Sequence, residues 1–392
     1  MLNERSTGKR ALMLLIPTLI LVVVLGVGGA RQTDPGLFNP LSSLYQTIKN
    51  YFYAPERIND QDALHGAMRG LVEQLNDPHS EFLDPAAMEK FEESLRGEFS
   101  GVGIVITVKD NVLTVIAPLS GTPAYKAGVR AGDRIIAIDG ESTEGITIIG
   151  AAVRIRGEVG TEVTLTVRRE DDSEEDITIV RATIIVPSAE SELIADGRIA
   201  YIRLFRFDAN LVRELDQALR GFDLDTLDGI VLDLRNNPGG RLSAAISASS
   251  RFVDEGLVIV SIRTRIARDQ SHRSAGNVIP NLPIAVLING GTASGSEIMA
   301  AAIRDHEMGI LIGEQSFGKG LIQQVFSFRD GSALKLSTGE YTTPLGLAVH
   351  GVGISPDIVT GEDEDPLDIA IAWIEEHAGV LMPISLGAAE GE

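Results

Sequence analysis

The 392-residue chain contains no cysteine, which excludes disulfides, thiolate metal sites and cysteine nucleophiles. Aromatic residues are only 5% of it, against 44% apolar residues overall, so its cores must be built from Ile, Leu, Val and Ala. Positive charge is scarce as well: 34 Lys and Arg stand against 55 Asp and Glu, a net charge of −21. A field of that sign repels phosphate backbones and argues against a nucleic-acid partner. The six histidines, His65, His79, His272, His306, His350 and His377, form no H-E-x-x-H or similar pair. No metal and no other cofactor is therefore expected.

What is present begins with a membrane signal. Arg5, Lys9 and Arg10 precede an uncharged stretch over residues 11–28. Its length lies on the border between a signal-peptide apolar region and a short membrane-spanning helix. Gly28 and Ala30 are small enough for a cleavage site. The basic flank stays on the cytoplasmic side. Residues 1–30 thus read as a signal peptide or membrane anchor, and the rest of the chain as extracytoplasmic.

Changes in hydrophobic period divide the remainder. Residues 38–97 read as a helical region, with Leu41, Leu44, Tyr45, Ile48, Tyr51 and Phe52 at helical spacing, then Leu64, Met68, Leu71, Val72 and Leu75. Asn76-Asp-Pro-His-Ser80 breaks that pattern. Residues 98–186 read as a compact domain of short strands with two helical stretches. Strands are expected at 101–108 and 113–116, with a turn at Asp110 and Asn111, and at 133–138, 163–167 and 177–185. Over residues 190–360 strands alternate with helices, which predicts a layered α/β domain. An acidic loop and a final helix at 367–374 occupy residues 361–392.

Four segments carry chemistry. Asn289-Gly-Gly-Thr-Ala-Ser294-Gly-Ser-Glu297 follows an apolar strand and opens a helix. A hydroxyl there faces free N–H groups that can hold an oxyanion. Taken alone, an N-cap role for Ser294 or Ser296, supported by Glu297, is the commoner explanation. Gly313-Glu-Gln-Ser-Phe-Gly318-Lys319-Gly320 approaches a P-loop, but Gly320 supplies no hydroxyl for Mg²⁺ and a strand follows where a phosphate site needs a helix. Lys319 is either a surface lysine or, given apolar Phe317, Leu321 and Ile322 around it, a desolvated amine of lowered pKa. Asp233-Leu-Arg-Asn-Asn-Pro-Gly239-Gly240 runs from a buried strand into a glycine turn, which suits an ordinary β–α connection or a close backbone approach to a ligand. Gly101-Val102-Gly103-Ile104 offers backbone amides for a terminal carboxylate, or is a plain strand start.

In order and spacing, these segments together resemble the carboxyl-terminal processing (tail-specific) peptidases, over about residues 38–374. The resemblance implies a multidomain α/β fold: a helical N-terminal region that in relatives helps dimerise, a PDZ domain, and a crotonase/ClpP-like catalytic domain. It implies Ser294 as nucleophile, Lys319 as general base 25 positions later, and Gln323 as the residue that orients the lysine. Gly295, with Gly239 or Gly240, becomes the oxyanion hole, and residues 101–104 the PDZ site for a substrate C-terminus. Implied partners are protein or peptide substrates with free C-termini, a second copy in a homodimer, and an activating partner. Arg156, in the turn after the PDZ helix, is either a coupler of ligand binding to the catalytic site or a surface arginine. Thr292 and Gly295 stand where the family usually has Ser and Ala, and neither change removes a catalytic group. The competing expectation is a catalytically silent PDZ adaptor of the same fold.

Overall fold

The computed structural model describes residues 36–379, apart from 110–111, 120, 147, 170, 277–278, 280–281 and 362. The expected signal or anchor and the expected turn at Asp110 and Asn111 lie outside the described residues. Among the described residues no helix is long and apolar enough to cross a membrane.

The chain divides into two units, Met1–Gly66 and Ala67–Glu392. The first holds α1 (Asn39–Tyr51) and the start of α2 (Asp60–Glu73). Tyr45 and Lys49 both bond the Asp60 carboxylate, at 2.5 and 2.7 Å, and tie α1 to that start. The apolar positions read from the sequence are not buried: Leu41, Leu44 and Ile48 stay exposed on α1.

In the second unit the turn at residues 76–80 leads into β1 (Glu81–Leu83) and α3 (Pro85–Arg96). Asp84 caps α3 by accepting the Ala87 N–H at 2.9 Å, and Gly97, at φ +74°, ends it. Next come β2 (Glu98–Gly101), β3 (Ile104–Lys109), β4 (Val112–Pro118), α4 (Pro123–Lys126), β5 (Arg134–Ile138), β6 (Glu141–Ser142), α5 (Ile148–Ile155), β7 (Glu162–Arg168), β8 (Glu174–Val180) and β9 (Ala182–Ile185). Their main sheet runs β3-β4-β5-β7-β8. Alternate residues of β7, Val163, Leu165 and Val167, point into a core with Leu113, Val115, Ile135 and Ile138. The strand expected over 177–185 is instead two. Between them Arg181 is buried and donates to Ile155 O at 2.9 Å and Glu162 O at 2.6 Å. Satisfying that guanidinium ends β8, and β9 leaves to pair with β2.

The third part comprises β10 (Ala189–Ile194), β11 (Ile199–Leu204), α6 (Leu211–Gly221), β12 (Gly229–Asp233), α7 (Leu242–Ser249), β13 (Val258–Thr264), β14 (Gln270–Arg273), β15 (Ile284–Ile288), α8 (Gly295–Asp305), β16 (Ile310–Gly313), β17 (Leu321–Ser327), β18 (Ala333–Thr342), β19 (Ile358–Val359) and α9 (Pro366–His377). One sheet, β10-β11-β12-β15-β16-β19, is parallel from β11 to β19. β12 and β15 are buried along their whole length, as parallel strands covered on both faces must be. Ile230, Leu232, Ile284 and Val286 pack with α6, α7 and α8; Val231, Ala285 and Leu287 pack with α9. A second sheet, β1-β18-β13-β14 with β17 on β18, stands beside it. The alternation expected from the sequence is present, but β10, β14, β18 and β19, like β1 before this region, are not legible in it.

Candidate active site

Two adjacent parallel strands, β12 and β15, end in loops that are stitched together. Asn289 Oδ1 accepts the Asn236 N–H at 2.9 Å and the Gly291 N–H at 3.0 Å, and its amide donates to Asn236 Oδ1 at 3.1 Å. The Thr292 hydroxyl adds a second tie between the loops: it donates to Leu234 O at 2.9 Å and accepts the Asn289 N–H at 3.0 Å. The chain then turns sharply into α8. Ser294, at φ +55° and ψ −114°, occupies a backbone region costly for a residue with a side chain. Such strain persists only where the surroundings fix it, and it leaves Ser294 partly exposed at the N-terminus of an otherwise buried helix.

Gly239 and Gly240 lie against that turn. A Cβ on Gly239 would stand 2.5 Å from Gly295 N and 2.9 Å from Ser294 Cβ; one on Gly240 would stand 2.3 Å from Phe207 O. Both glycines are needed for this approach. Their N–H groups differ. Gly239 donates to Asn237 Oδ1 at 2.9 Å, whereas Gly240 N–H and Gly295 N–H have no acceptor among the described residues. Of the expected pair, Gly240 thus retains an available donor, and Gly239 supplies space. Asn237 itself is fully buried; its carbonyl receives the Ala293 N–H and the Ser296 hydroxyl, each at 3.0 Å. Ser296 is therefore a structural hydroxyl.

The lysine arrives on the loop between β16 and β17. Gly351 N–H bonds Gly318 O at 2.9 Å, and a Cβ on Gly320 would stand 2.3 Å from His350 N. The glycines flanking Lys319 therefore admit the neighbouring strap at residues 349–353. Lys319 is half-buried. Burial drives its pKa below the ordinary lysine value and Lys335 adds to this, while Asp77 and Glu297 oppose it. Its ammonium makes no hydrogen bond to Ser294 Oγ. Gln323 Nε2 does not reach it either, lying 3.4 Å from both Leu321 O and Ser337 Oγ.

Two residues that sequence reasoning missed hold serine and lysine together. Glu297 has no solvent exposure, and one of its oxygens, Oε2, accepts both the Ser294 N–H at 2.7 Å and the Lys319 N–H at 3.0 Å. The other, Oε1, accepts the Ser316 hydroxyl at 2.6 Å and the Gly318 N–H at 2.7 Å. Above them the Tyr341 hydroxyl faces Ser294 O at 3.1 Å and Lys319 O at 2.9 Å. Burial and the nearby Glu297 push the Tyr341 pKa well above its usual value, so it remains a donor. Serine and lysine thus share one acceptor and one donor. The S-x-x-E spacing marked Glu297 only as a helix-start residue, and nothing in the sequence marked Tyr341.

In the small β domain, residues 101–104 form the turn between β2 and β3. Val102 is buried and its carbonyl accepts the Ala124 N–H at 2.9 Å. Gly103, at φ +79°, faces Thr122 so closely that a Cβ would lie 2.4 Å from the Thr122 Cβ. Helix α5 lies beside β3. The Arg156 guanidinium lies over the Phe99 ring, 5.2 Å from its centroid, and Arg206 lies 5.0 Å from the same centroid.

A strained serine at a helix N-terminus and a desolvated lysine on a shared scaffold, beside a separate small β domain, fit a serine protease. Comparison with known proteins gives the family. The model for peptidase family S41 matches residues 198–360, and a PDZ-domain model matches residues 114–169. The chain is 42% identical over 316 residues to the carboxy-terminal-processing protease of Bartonella bacilliformis, covering 79% of this chain and 71% of that one. It is 33% identical over 329 residues to the carboxy-terminal processing protease CtpA of Bacillus subtilis, covering 84% and 70%. Among solved structures, the photosystem II D1 C-terminal processing protease aligns with a TM-score of 0.53 at 28% identity, over 86% of this chain and 91% of that one. The protein belongs to the PDZ-bearing carboxy-terminal processing proteases of peptidase family S41.

Proposed function

We propose that this serine protease cleaves extracytoplasmic protein substrates near their C-termini by a Ser–Lys mechanism. Ser294 Oγ attacks the scissile carbonyl while Lys319, as the neutral amine, takes its proton and later gives it to the leaving amine. Gln323 orients the lysine once it leaves Ser337. The Gly295 and Gly240 N–H groups receive the oxyanion. The turn at residues 101–104 binds the substrate's terminal carboxylate, and the adjoining apolar strand β3 takes its last side chains. The observation that carries this reading is the shared anchoring of Ser294 and Lys319 on Glu297 Oε2 and the Tyr341 hydroxyl.

The basic flank and apolar stretch at residues 1–30 support export or membrane anchoring. The exposed Leu41, Leu44 and Ile48 of α1 support burial of that helix against a second copy, and an activating partner remains part of the same proposal. The test compares wild type with Ser294→Ala on an unfolded peptide carrying either a free or an amidated C-terminus. Cleavage of the free form, a raised KM for the amide and an inert Ser294→Ala variant are expected. Turnover by Ser294→Ala would refute the nucleophile. Equal turnover of acid and amide would refute PDZ delivery. An inert but well-folded wild type that still binds the peptide would favour the adaptor.

A further inference from the structure

The turn at residues 76–80 has no part in the mechanism above, yet its side chains run to β18, the strand paired with the one that carries Gln323. Asp77 Oδ1 accepts the His79 N–H at 3.0 Å, and Asp77 Oδ2 receives the Ser80 hydroxyl at 2.5 Å. Ser80 Oγ in turn accepts the Ser337 N–H at 3.0 Å, a bond spanning 257 residues. Ser337 lies opposite Gln323 in the β17–β18 ladder, at the position where that ladder shifts register, and its hydroxyl is the 3.4 Å neighbour of the Gln323 amide. Immediately after Ser80, β1 pairs with β18, with Glu81 opposite Lys335 and their side chains bonded at 2.9 Å.

We propose that Asp77 is a positioning residue for the reaction: through Ser80 and Ser337 it fixes the strand face that carries Gln323, and its carboxylate stabilises the ammonium formed when Lys319 accepts the Ser294 proton. This rests on the Ser–Lys reading. A turn that merely joined α2 to β1 would need an acceptor at position 77 but not a charge. The charge at Asp77 favours the Lys319 ammonium. Burial would raise the Asp77 pKa, but bonds from Ser80, Ser337 and His79 hold it below the usual carboxylate value, so it is an anion wherever the enzyme works.

The groups around Lys319 then form a balanced set. Lys335 on β18 and His79 on the turn disfavour its ammonium when they are charged; Asp77 and Glu297 on α8 favour it. Burial and Lys319 itself lower the His79 pKa, and His350 on the strap contributes to this. A base must be neutral to accept a proton, yet basic enough to hold it during attack. Burial and Lys335 serve the first need, and Asp77 the second.

The experiment measures kcat and kcat/KM for a peptide substrate across pH with the full-length chain. Wild type, Asp77→Asn, Ser80→Ala and Lys319→Ala are compared, and thermal unfolding confirms each fold. Asp77→Asn keeps an acceptor for the His79 N–H and loses the charge. Its acid limb should move to lower pH, because the ammonium is no longer stabilised, and its plateau kcat should fall roughly 10- to 100-fold through lost alignment. Ser80→Ala should lower kcat while its limb stays at the wild-type position. If Asp77→Asn does not fold, Asp77→Ser is read in its place. Failure of both to fold, beside a folded Lys319→Ala, makes Asp77 part of the scaffold only and overturns the proposal. So does an Asp77→Asn limb that coincides with wild type while Lys319→Ala is inactive. An active Lys319→Ala would overturn the Ser–Lys reading and this proposal with it.

Discussion

Glu297 offers the sharpest perturbation of the site. Its carboxylate is fully buried and receives four donors, two on each oxygen. In Glu297→Gln one terminal atom becomes an NH₂ group that cannot accept. The favoured orientation places that NH₂ toward Ser316, whose hydroxyl can rotate to accept, and leaves the Gly318 N–H without a partner. The Ser294 and Lys319 N–H groups then keep their shared oxygen. One lost bond to a charged acceptor costs about 1.5–3 kcal/mol. At roughly 2–4 °C per kcal/mol this lowers Tm by roughly 3–12 °C, with kcat falling about tenfold as the lysine loop loosens. Glu297→Ala strands all four donors and opens a void. It should at least double the loss in Tm and reduce kcat more than about 100-fold. Differential scanning calorimetry and peptide kinetics read both. A Glu297→Ala enzyme with wild-type Tm and kcat/KM would refute the claim that this carboxylate holds Ser294 and Lys319 in place.

Three further outcomes follow from the same geometry. Because burial depresses the Lys319 pKa and only the neutral amine is a base, activity should rise with pH through an apparent pKa below the ordinary lysine value of 10.5; Lys319→Arg should be as inactive as Lys319→Ala, and an active arginine variant would show that only positive charge matters there. Ser296→Ala removes a buried donor to Asn237 O and should cost about 1 kcal/mol of stability while leaving kcat within a few-fold of wild type, whereas complete inactivity in a folded variant would move the nucleophile assignment. Tyr341→Phe deprives the Ser294 and Lys319 carbonyls of their shared donor; thermal unfolding should show a loss of about 1–3 kcal/mol and kinetics a fall in kcat rather than a rise in KM, and a pure KM effect would contradict its placement behind the reacting groups.

The nucleophile and lysine segments were legible because each is local: an apolar strand, a glycine-bearing turn and one functional side chain within a dozen residues. The layered domain was legible for the same reason, since β12 and β15 are continuous apolar stretches. What joins the segments was not. Glu297 bonds Ser316, Gly318 and Lys319, which lie 19, 21 and 22 positions away, and no spacing rule of a single helix reaches that far. β18 escaped because its apolar Leu334 and Leu336 sit among Lys335, Ser337, Thr338, Gly339 and Glu340, and its burial pattern is largely intermediate. With β18 went Tyr341. The apolar spacing of α1 was read correctly as helical, but it says nothing about what covers the helix, and within this chain Leu41, Leu44 and Ile48 are exposed. Gly239 and Gly240 are indistinguishable as letters. Only the Asn237 side chain separates them, by engaging one N–H and leaving the other.

Ser294 comes from the end of a parallel sheet, while the hydroxyl and strap that seat Lys319 come from β18 and from residues 349–353 beyond it. Those pieces belong to different sheets and different stretches of chain, and long-range β pairing of this kind is slow to form. A chain that has completed only its parallel sheet has Glu297 to hold both loops, but lacks the Tyr341 hydroxyl and the strap at residues 349–353. The serine and lysine carbonyls therefore gain their common donor only when the second sheet closes on the first.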